Sequence, residues 1–148
     1  MNILQSDRVI VSKLPITEIR PINTTQTPSP KPKGLWYGIG YSWINWVKTE
    51  MPEWMGMYIY KIELNPATIL RISTVEMLDE FNKTYAEESR SFPGFYLDWN
   101  LVTTKYSGIE ISPYQWSRRM KYMWYYGWDV ASGCIWNHNV VSNLTQIK

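Results

Sequence analysis

The stretch that decides the fold of this chain is residues 57–64, which read Met57-Tyr58-Ile59-Tyr60-Lys61-Ile62-Glu63-Leu64. Side chains along it alternate with a period of two, which is the pattern of a β-strand with one buried face. Asn65-Pro66 then turns the chain into a second short strand over residues 68–72. A helix follows, because Ser73 and Glu76 have the spacing of a capping box. This succession predicts a fold in which strands and helices are mixed.

Outward from this stretch, the same signals predict further elements on both sides. Four more strands are expected at residues 8–14, 34–40, 109–111 and 132–136, which are rich in β-branched and aromatic side chains. Ser42 is expected to cap a helix that runs to Pro52, and Asp98 a short one that ends before Gly108.

A last helix is predicted to open at Ser112-Pro113, where a capping residue precedes a proline of the first turn. Its apolar face would consist of Trp116, Met120, Met123 and Trp124. The irregular order of strands and helices favours an α+β fold over a regular βαβ array.

The length and composition indicate one domain spanning residues 1–148, with a core that needs no disulfide. Nine Trp and eleven Tyr are too many to be fully buried in a domain of this size, so some should line a cleft or a contact face. Residues 15–33 carry five prolines and are predicted to form an extended, mobile loop near the entrance of the site.

Several classes of protein are excluded by what the sequence lacks. The start has no basic segment followed by an apolar run, and no stretch has the roughly 18 apolar residues of a membrane span. Cys134 is the only cysteine, which favours a reducing compartment and a cytoplasmic location. Cys134 and His138 alone cannot supply a zinc site, so no metal is expected. Neither a Walker loop nor a Rossmann fingerprint is present.

Three segments combine glycines with aromatic residues more densely than a plain core requires, and two of them add a carboxylate. They are Lys31 to Gly38, Tyr106 to Ile111, and Gly127 to Trp136. Glu110 lies between Ile109 and Ile111, so its side chain points to the face opposite both isoleucines. Asp129, in the third segment, is the second candidate carboxylate.

This order of elements resembles the ADP-ribosyltransferase family. That family has an Arg or His on a first strand, a Tyr- or Ser-bearing second strand that leads into a helix, and a Glu on or just before a later strand. The resemblance implies a small mixed or antiparallel two-sheet core with three to four short helices. It also implies that NAD binds between the sheets.

Carried over by position, the resemblance implies that Glu110 is the catalytic acid, that Arg8 occupies the first-strand site and that Tyr37 or Ser42 occupies the second. Trp36 and Tyr37 are also suited to stacking on nicotinamide or adenine. The expected cofactor-binding residues are therefore Arg8, Trp36, Tyr37 and Ser42. The implied function is NAD-dependent mono-ADP-ribosyl transfer, or NAD hydrolysis. A carboxylate near the ribose stabilises the oxocarbenium character that develops when nicotinamide leaves. Gly108 occupies the position of the first acid in the arginine-modifying branch, so the macromolecular acceptor, protein or nucleic acid, stays open.

The same residues also fit structural roles. Glu110 fits an outward-facing strand charge, Trp36 and Tyr37 fit the core, and Ser42 fits a helix cap. Two non-enzymatic functions also stay open. One is the binding of nucleotides or single-stranded nucleic acid through rings interleaved with positive charges, at Trp116, Arg118, Arg119, Lys121, Tyr122, Tyr125 and Tyr126. The other is the binding of a protein, as an inhibitor would, through exposed Trp and Tyr.

Overall fold

The computed structural model describes residues 2–22, 25–54, 58–86 and 96–148. The strands in these ranges are β1 Arg8–Ser12, β2 Leu35–Ile39, β3 Tyr58–Leu64, β4 Ile69–Ile72, β5 Gly108–Ile111, β6 Ser132–Ile135 and β7 Val141–Gln146. The α-helices are α1 Ser42–Glu50, α2 Val75–Tyr85, α3 Trp99–Thr103 and α4 Met123–Tyr126. Short 3-10 helices lie at Pro52–Trp54, Pro66–Thr68, Trp116–Arg118 and His138–Val140.

All seven strands belong to a single curled sheet with the order β4-β5-β6-β2-β1-β3-β7. Every pairing is antiparallel except that of β4 with β5, which is parallel. The α+β class predicted from the sequence is therefore confirmed. The prediction of two sheets is wrong in this respect, because β2 pairs with β6 and joins the two groups of strands into one continuous sheet.

The two faces of the sheet carry different cores. One face, here called the helix face, packs Ile72, Ile109 and Ile111 against α2, α3 and α4, and Val9 and Ile59 against Ile44 of α1. The opposite face, here called the tyrosine face, carries Ile10, Tyr37, Tyr60, Ile62 and Ile135. On the helix face, α1 packs over β1 and β3, and α2, α3 and α4 pack over β4 and β5. An opening between these two groups of helices therefore lies over the strands in the middle of the sheet, β6, β2 and β1.

Helix α2 shows how one amphipathic pattern anchors an element. Leu78 and Phe81 are buried against the sheet, and burying side chains of this size stabilises the fold by roughly 1.5–3 kcal/mol each. The predicted cap at Ser73 is wrong by one residue. Thr74 is the N-cap, because its hydroxyl accepts from the backbone N–H of Met77. Asp98 caps α3 as predicted, accepting from the N–H of Asn100.

The long helix predicted after Ser112-Pro113 is wrong. The segment instead forms the 3-10 helix Trp116–Arg118 and the single turn α4. Trp124 and Tyr125 of α4 are both fully buried in the core of the helix face. Three residues of the predicted apolar face are instead exposed: Trp116 by 70%, Met120 by 77% and Met123 by 56%.

The end of the chain adds an element that the sequence did not predict, since the last predicted strand is at residues 132–136. His138 starts a 3-10 helix and β7 follows, paired with β3. Most of the β7 side chains are polar, which suits an edge strand but conceals its hydrophobic period.

The proline-rich loop contains no helix or strand in the described residues 15–22 and 25–33. Its second half is nevertheless tied to the domain. Ser29 exchanges backbone hydrogen bonds with Leu97 and accepts from the indole N–H of Trp99. The buried side chain of Gln26 bonds to both the N–H and the carbonyl of Lys33. This part of the loop is therefore held against the helix-face core.

Candidate functional site

A cavity of about 280 Å³ opens on the helix face, between the core under α1 and the core under the other helices. The strand register places its strand residues on that face, since Val9 pairs with Gly38 and Gly38 pairs with Ser132. Strands β1, β2 and β6 form the floor. The complete lining is Val9, Val11, Lys31, Trp36, Tyr37, Gly38, Trp43, Trp128, Asp129, Val130 and Ser132.

Three indole rings wall this cavity, and each comes from a different part of the chain. Trp36 and Trp128 make an edge-to-face contact, with ring centroids 4.9 Å apart. Trp43 comes from the first turn of α1 and stacks on Trp46 at 5.1 Å. Gly38 lets α1 approach the floor, because a Cβ there would lie 2.7 Å from that of Trp43. Such walls suit a flat, aromatic ligand.

Two cations and one carboxylate lie at this aromatic cavity. Lys31 and Asp129 line it, and the guanidinium of Arg119 donates to Oδ1 of Asp129 at 3.3 Å. Desolvation lowers the pKa of Lys31, although the nearby charge of Asp129 opposes this shift. Since Arg119 already neutralises Asp129, these three groups carry a surplus of one positive charge.

Arg119 is held over several rings at once. Its guanidinium lies 4.8 Å from the ring centroid of Tyr126 and 5.9 Å from those of Tyr114 and Trp116. It also donates to the hydroxyl of Tyr114 at 3.0 Å. These contacts fix the direction from which the positive charge meets Asp129.

Trp128 carries an unusual polar atom. Its indole N–H is the one buried side-chain N or O without a hydrogen-bond partner among the described residues. Leaving a buried donor unpaired costs about 1–3 kcal/mol. Trp128 lines the cavity with its ring, whereas this N–H is buried away from the cavity surface.

Ser42 supports the cavity from outside. It was predicted to cap α1, which is wrong: Ser42 is the first residue of α1 and makes no cap bond. Its hydroxyl instead accepts from the N–H of Ile39 and donates to the carbonyl of Ala131 at 2.7 Å. Ser42 therefore joins the end of β2 to the segment that carries Asp129.

Glu110 lies on the other face of the sheet. Its side chain is almost completely buried and accepts at Oε1 from Arg8 at 2.7 Å and from Tyr37 at 3.0 Å. Oε2 accepts from the more exposed Arg71 at 3.2 Å. A carboxylate bound by three donors of its own chain is well suited to holding strands together.

Gly133 makes this cluster possible. In the register of the sheet, Gly133 pairs with Tyr37 on one side and with Glu110 on the other. The phenol of Tyr37 lies directly over Gly133, so that a Cβ there would collide with the ring and the hydroxyl of Tyr37. The missing side chain is what lets Tyr37 cross β6 to Glu110.

The ionisation of this cluster favours the observed hydrogen bonds. Burial alone would lower the pKa of Arg8, but the hydrogen bond and charge of Glu110 raise it overall. Desolvation, followed by the charge of Glu110, raises the pKa of Tyr37 far above its ordinary value. Arg8 is therefore a cation and Tyr37 a neutral donor throughout the physiological range.

The structure thus separates the residues that the sequence grouped. Trp36 and Tyr37 border the cavity, although the phenol of Tyr37 points to the tyrosine face. Arg8, Ser42 and Glu110 do not line it. Lys31, Trp43 and Trp128 were not selected from the sequence as site residues. Lys31 and Trp128 lie in two of the glycine- and aromatic-rich segments, which was the signal available for them.

The cluster that suggested nucleic-acid binding is largely engaged within the chain. Arg118 binds both oxygens of Asp79, and the hydroxyl of Tyr122 donates to the same carboxylate. Tyr125 is buried, and Arg119 is bound to Asp129. Trp116 and Tyr126 remain exposed. Binding of nucleic acid or of a protein partner stays a prediction.

A second, more open groove of about 510 Å³ lies between α2 and the outer edge of β4.

Among the described residues no group of three or more His, Cys, Asp or Glu is arranged to hold a metal ion. Within the same ranges, no helix combines the length and the apolar character that crossing a membrane requires.

No protein-family model matches the chain, and no curated protein or solved structure is significantly similar to it.

Proposed function

We propose that the aromatic cavity binds NAD and that the chain transfers the ADP-ribosyl group or hydrolyses NAD. One observation carries this proposal. The first strand, the second strand with its following helix, and the segment just before a later strand all meet at one cavity, which holds three indole rings and the carboxylate of Asp129. The order of these elements agrees with the ADP-ribosyltransferase resemblance, but the acid differs: the resemblance implies Glu110, whereas the carboxylate at this cavity is Asp129, just before β6.

The cavity volume fits one part of the cofactor. A space of about 280 Å³ holds a single ring with its sugar, and the remainder of a dinucleotide would extend past Lys31 toward solvent. The nicotinamide ring would lie between the indoles, where flat aromatic surfaces favour stacking.

Asp129 is the carboxylate we assign to the chemistry. When the bond between nicotinamide and ribose breaks, the electron pair leaves with nicotinamide and positive charge develops at the anomeric carbon. A carboxylate at the ribose stabilises that charge, and water or another nucleophile then bonds to the anomeric carbon. Arg119 orients Asp129 without contacting the cavity floor.

Glu110, the catalytic acid suggested by the sequence, receives a different role in this proposal. It lines neither cavity, and its oxygens accept from Arg8, Tyr37 and Arg71. We assign it to holding β1, β2, β4 and β5 in place beneath the site. Ser42, through Ala131, holds the segment of Asp129 in the same indirect way.

The test is nicotinamide release from NAD, measured by chromatography with wild-type protein and with Asp129→Asn. We expect turnover by the wild type and a loss of at least about a hundredfold in the variant, the typical size of such an electrostatic contribution. Asp98→Asn is the matched control, because asparagine caps a helix about as well as aspartate and Asp98 lies outside the cavity lining.

The acceptor is read from the products of the same reaction. With NAD labelled in its ADP-ribose part, free ADP-ribose identifies water as the nucleophile. Label that stays on added protein or oligonucleotide identifies transfer to that acceptor. If the wild type neither binds NAD in calorimetry nor releases nicotinamide, the proposed function is wrong. If Asp129→Asn keeps full activity, the carboxylate assignment is wrong.

A further inference from the structure

We infer that Lys31 selects ligands that carry a phosphate group at the aromatic cavity. This inference rests on the proposed function for the location of the site, but not for the identity of the ligand. It follows from the position of Lys31, from the charges around it, and from the anchoring of the loop that presents it.

The side chain of Lys31 is directed to the cavity by its packing. Its Nζ lies 5.5 Å from the ring centroid of Trp36, and Lys31 is part of the lining. Its stem passes over Gly127, where an added Cβ would meet Cε of Lys31 at 3.5 Å. The ammonium therefore lies over the aromatic wall formed by Trp36.

No salt bridge involves Lys31 within the described residues. The carboxylate nearest in the lining, Asp129, is already bound by Arg119. The ammonium of Lys31 is therefore a positive charge without a matching negative charge at the site, and a ligand with a negative group would neutralise it. An ammonium serves as a point-charge donor for phosphate oxygens.

The loop holds Lys31 at a fixed place. Two residues before it, Ser29 forms a pair of backbone hydrogen bonds with Leu97, each 3.1 Å. Two residues after it, Lys33 is bonded through both its N–H and its carbonyl to Gln26. A cation presented by an anchored segment loses little conformational freedom on binding, so its contact discriminates between ligands.

The test compares ligands that differ only in a phosphate. Dissociation constants are measured by intrinsic tryptophan fluorescence for two pairs: nicotinamide riboside with its 5′-monophosphate, and adenosine with AMP. We expect Lys31→Gln to weaken binding of each phosphate-bearing member by about tenfold, and to leave each nucleoside within about twofold. Lys31→Arg should keep most of the phosphate preference. Lys33→Gln, an exposed lysine two residues away, is the matched control.

The outcomes separate this inference from the proposed function. If AMP binds in a Lys31-dependent manner and no nicotinamide compound binds, the phosphate site stands and the NAD proposal fails. If nucleosides and nucleotides bind equally well, or lose affinity equally in Lys31→Gln, the inference is wrong whatever the activity. If none of the four compounds binds the wild type at millimolar concentration, it is wrong as well.

Discussion

The hydroxyl of Tyr37 donates to Oε1 of Glu110 at 3.0 Å, although β6 lies between the strands that carry these two residues. Their hydrogen bond spans the intervening strand at Gly133, the only position in β6 that pairs with both of them. The contact joins β5 to β2 across β6, in addition to the backbone hydrogen bonds that each of these strands makes with β6.

Gly133→Ala should destabilise the protein because its methyl group would occupy the space of the Tyr37 ring. Forcing a buried ring aside costs about 1–3 kcal/mol, and displacing Tyr37 from Glu110 adds about 1 kcal/mol. Urea unfolding followed by circular dichroism measures the change. Gly127→Ala is the control, since a Cβ there meets only ordinary contacts. Equal stability of the two variants would contradict the conclusion that the Tyr37 ring needs the space above Gly133.

Glu110→Gln should destabilise the fold by about 3 kcal/mol, since it leaves the guanidinium of Arg8 without its anion in a largely buried place. Tyr37→Phe, which removes only one hydrogen bond, should cost about 1 kcal/mol. Thermal and urea unfolding of both variants give the ranking. If Glu110→Gln kept its stability but lost NAD turnover, Glu110 would be a catalytic residue rather than a structural one.

Ser42→Ala should lower NAD turnover more than it lowers stability. The variant loses the bond to the Ala131 carbonyl, which costs about 1 kcal/mol, and it releases the segment that carries Asp129. We expect a several-fold fall in kcat with the melting temperature lowered by a few degrees. Ser142→Ala, on the exposed side of β7, is the control. Unchanged turnover in Ser42→Ala would show that this bond does not position Asp129.

Asp79 should make stability depend on pH. Hydrogen bonds from Arg118 and then Tyr122 hold the pKa of Asp79 well below its usual range. A carboxyl whose pKa is lower in the folded state stabilises the fold above its unfolded pKa of about 4, and this stabilisation is lost as the pH falls further. Because 35% of the Asp79 side chain is exposed, solvent screening limits the contribution to about 1 kcal/mol.

The measurement is urea unfolding of wild type and Asp79→Asn at pH 7, 5 and 3. The difference between the two proteins should be largest at pH 7 and shrink below about pH 4. Glu80→Gln removes the same charge from the exposed surface of α2 and serves as the control. A difference that stayed constant down to pH 3 would contradict the prediction.

The strands with clear local signals could be predicted from the sequence. The prediction was wrong for segments whose conformation depends on contacts between residues far apart in the chain. The strand Tyr58–Leu64 and the cap at Asp98 rest on periodicity and on a neighbouring N–H, both of which are local. The segment 113–126 carries helical spacing, but non-local contacts set its conformation. Arg118 binds Asp79 of α2, and within the segment the N–H of Gln115 donates to the hydroxyl of Tyr125, ten residues away.

The site shows the same division. The segments around Trp36 and Asp129 were recognisable from glycines beside aromatic residues, and both contribute to the cavity. Arg8, Tyr37 and Glu110 were also selected, and the structure brings them into one cluster, but on the opposite face of the sheet. Alternation along a strand predicts which residues share a face, but which of the two faces meets the cavity depends on the order of strands far apart in the chain, and one sequence contains no direct signal for that order.

The position of β6 also bears on how the chain acquires its fold during synthesis. Strands β2, β1 and β3 form one group and β4 and β5 another, and among the described strands only β6, residues 132–135, pairs its backbone with both groups. On the ribosome the backbone ladder between the two groups cannot form until residues 132–135 have emerged. A nascent chain stopped before residue 132 would expose the edges of β2 and β5 that β6 covers in the folded protein, and chains with unpaired strand edges are the kind that chaperones bind.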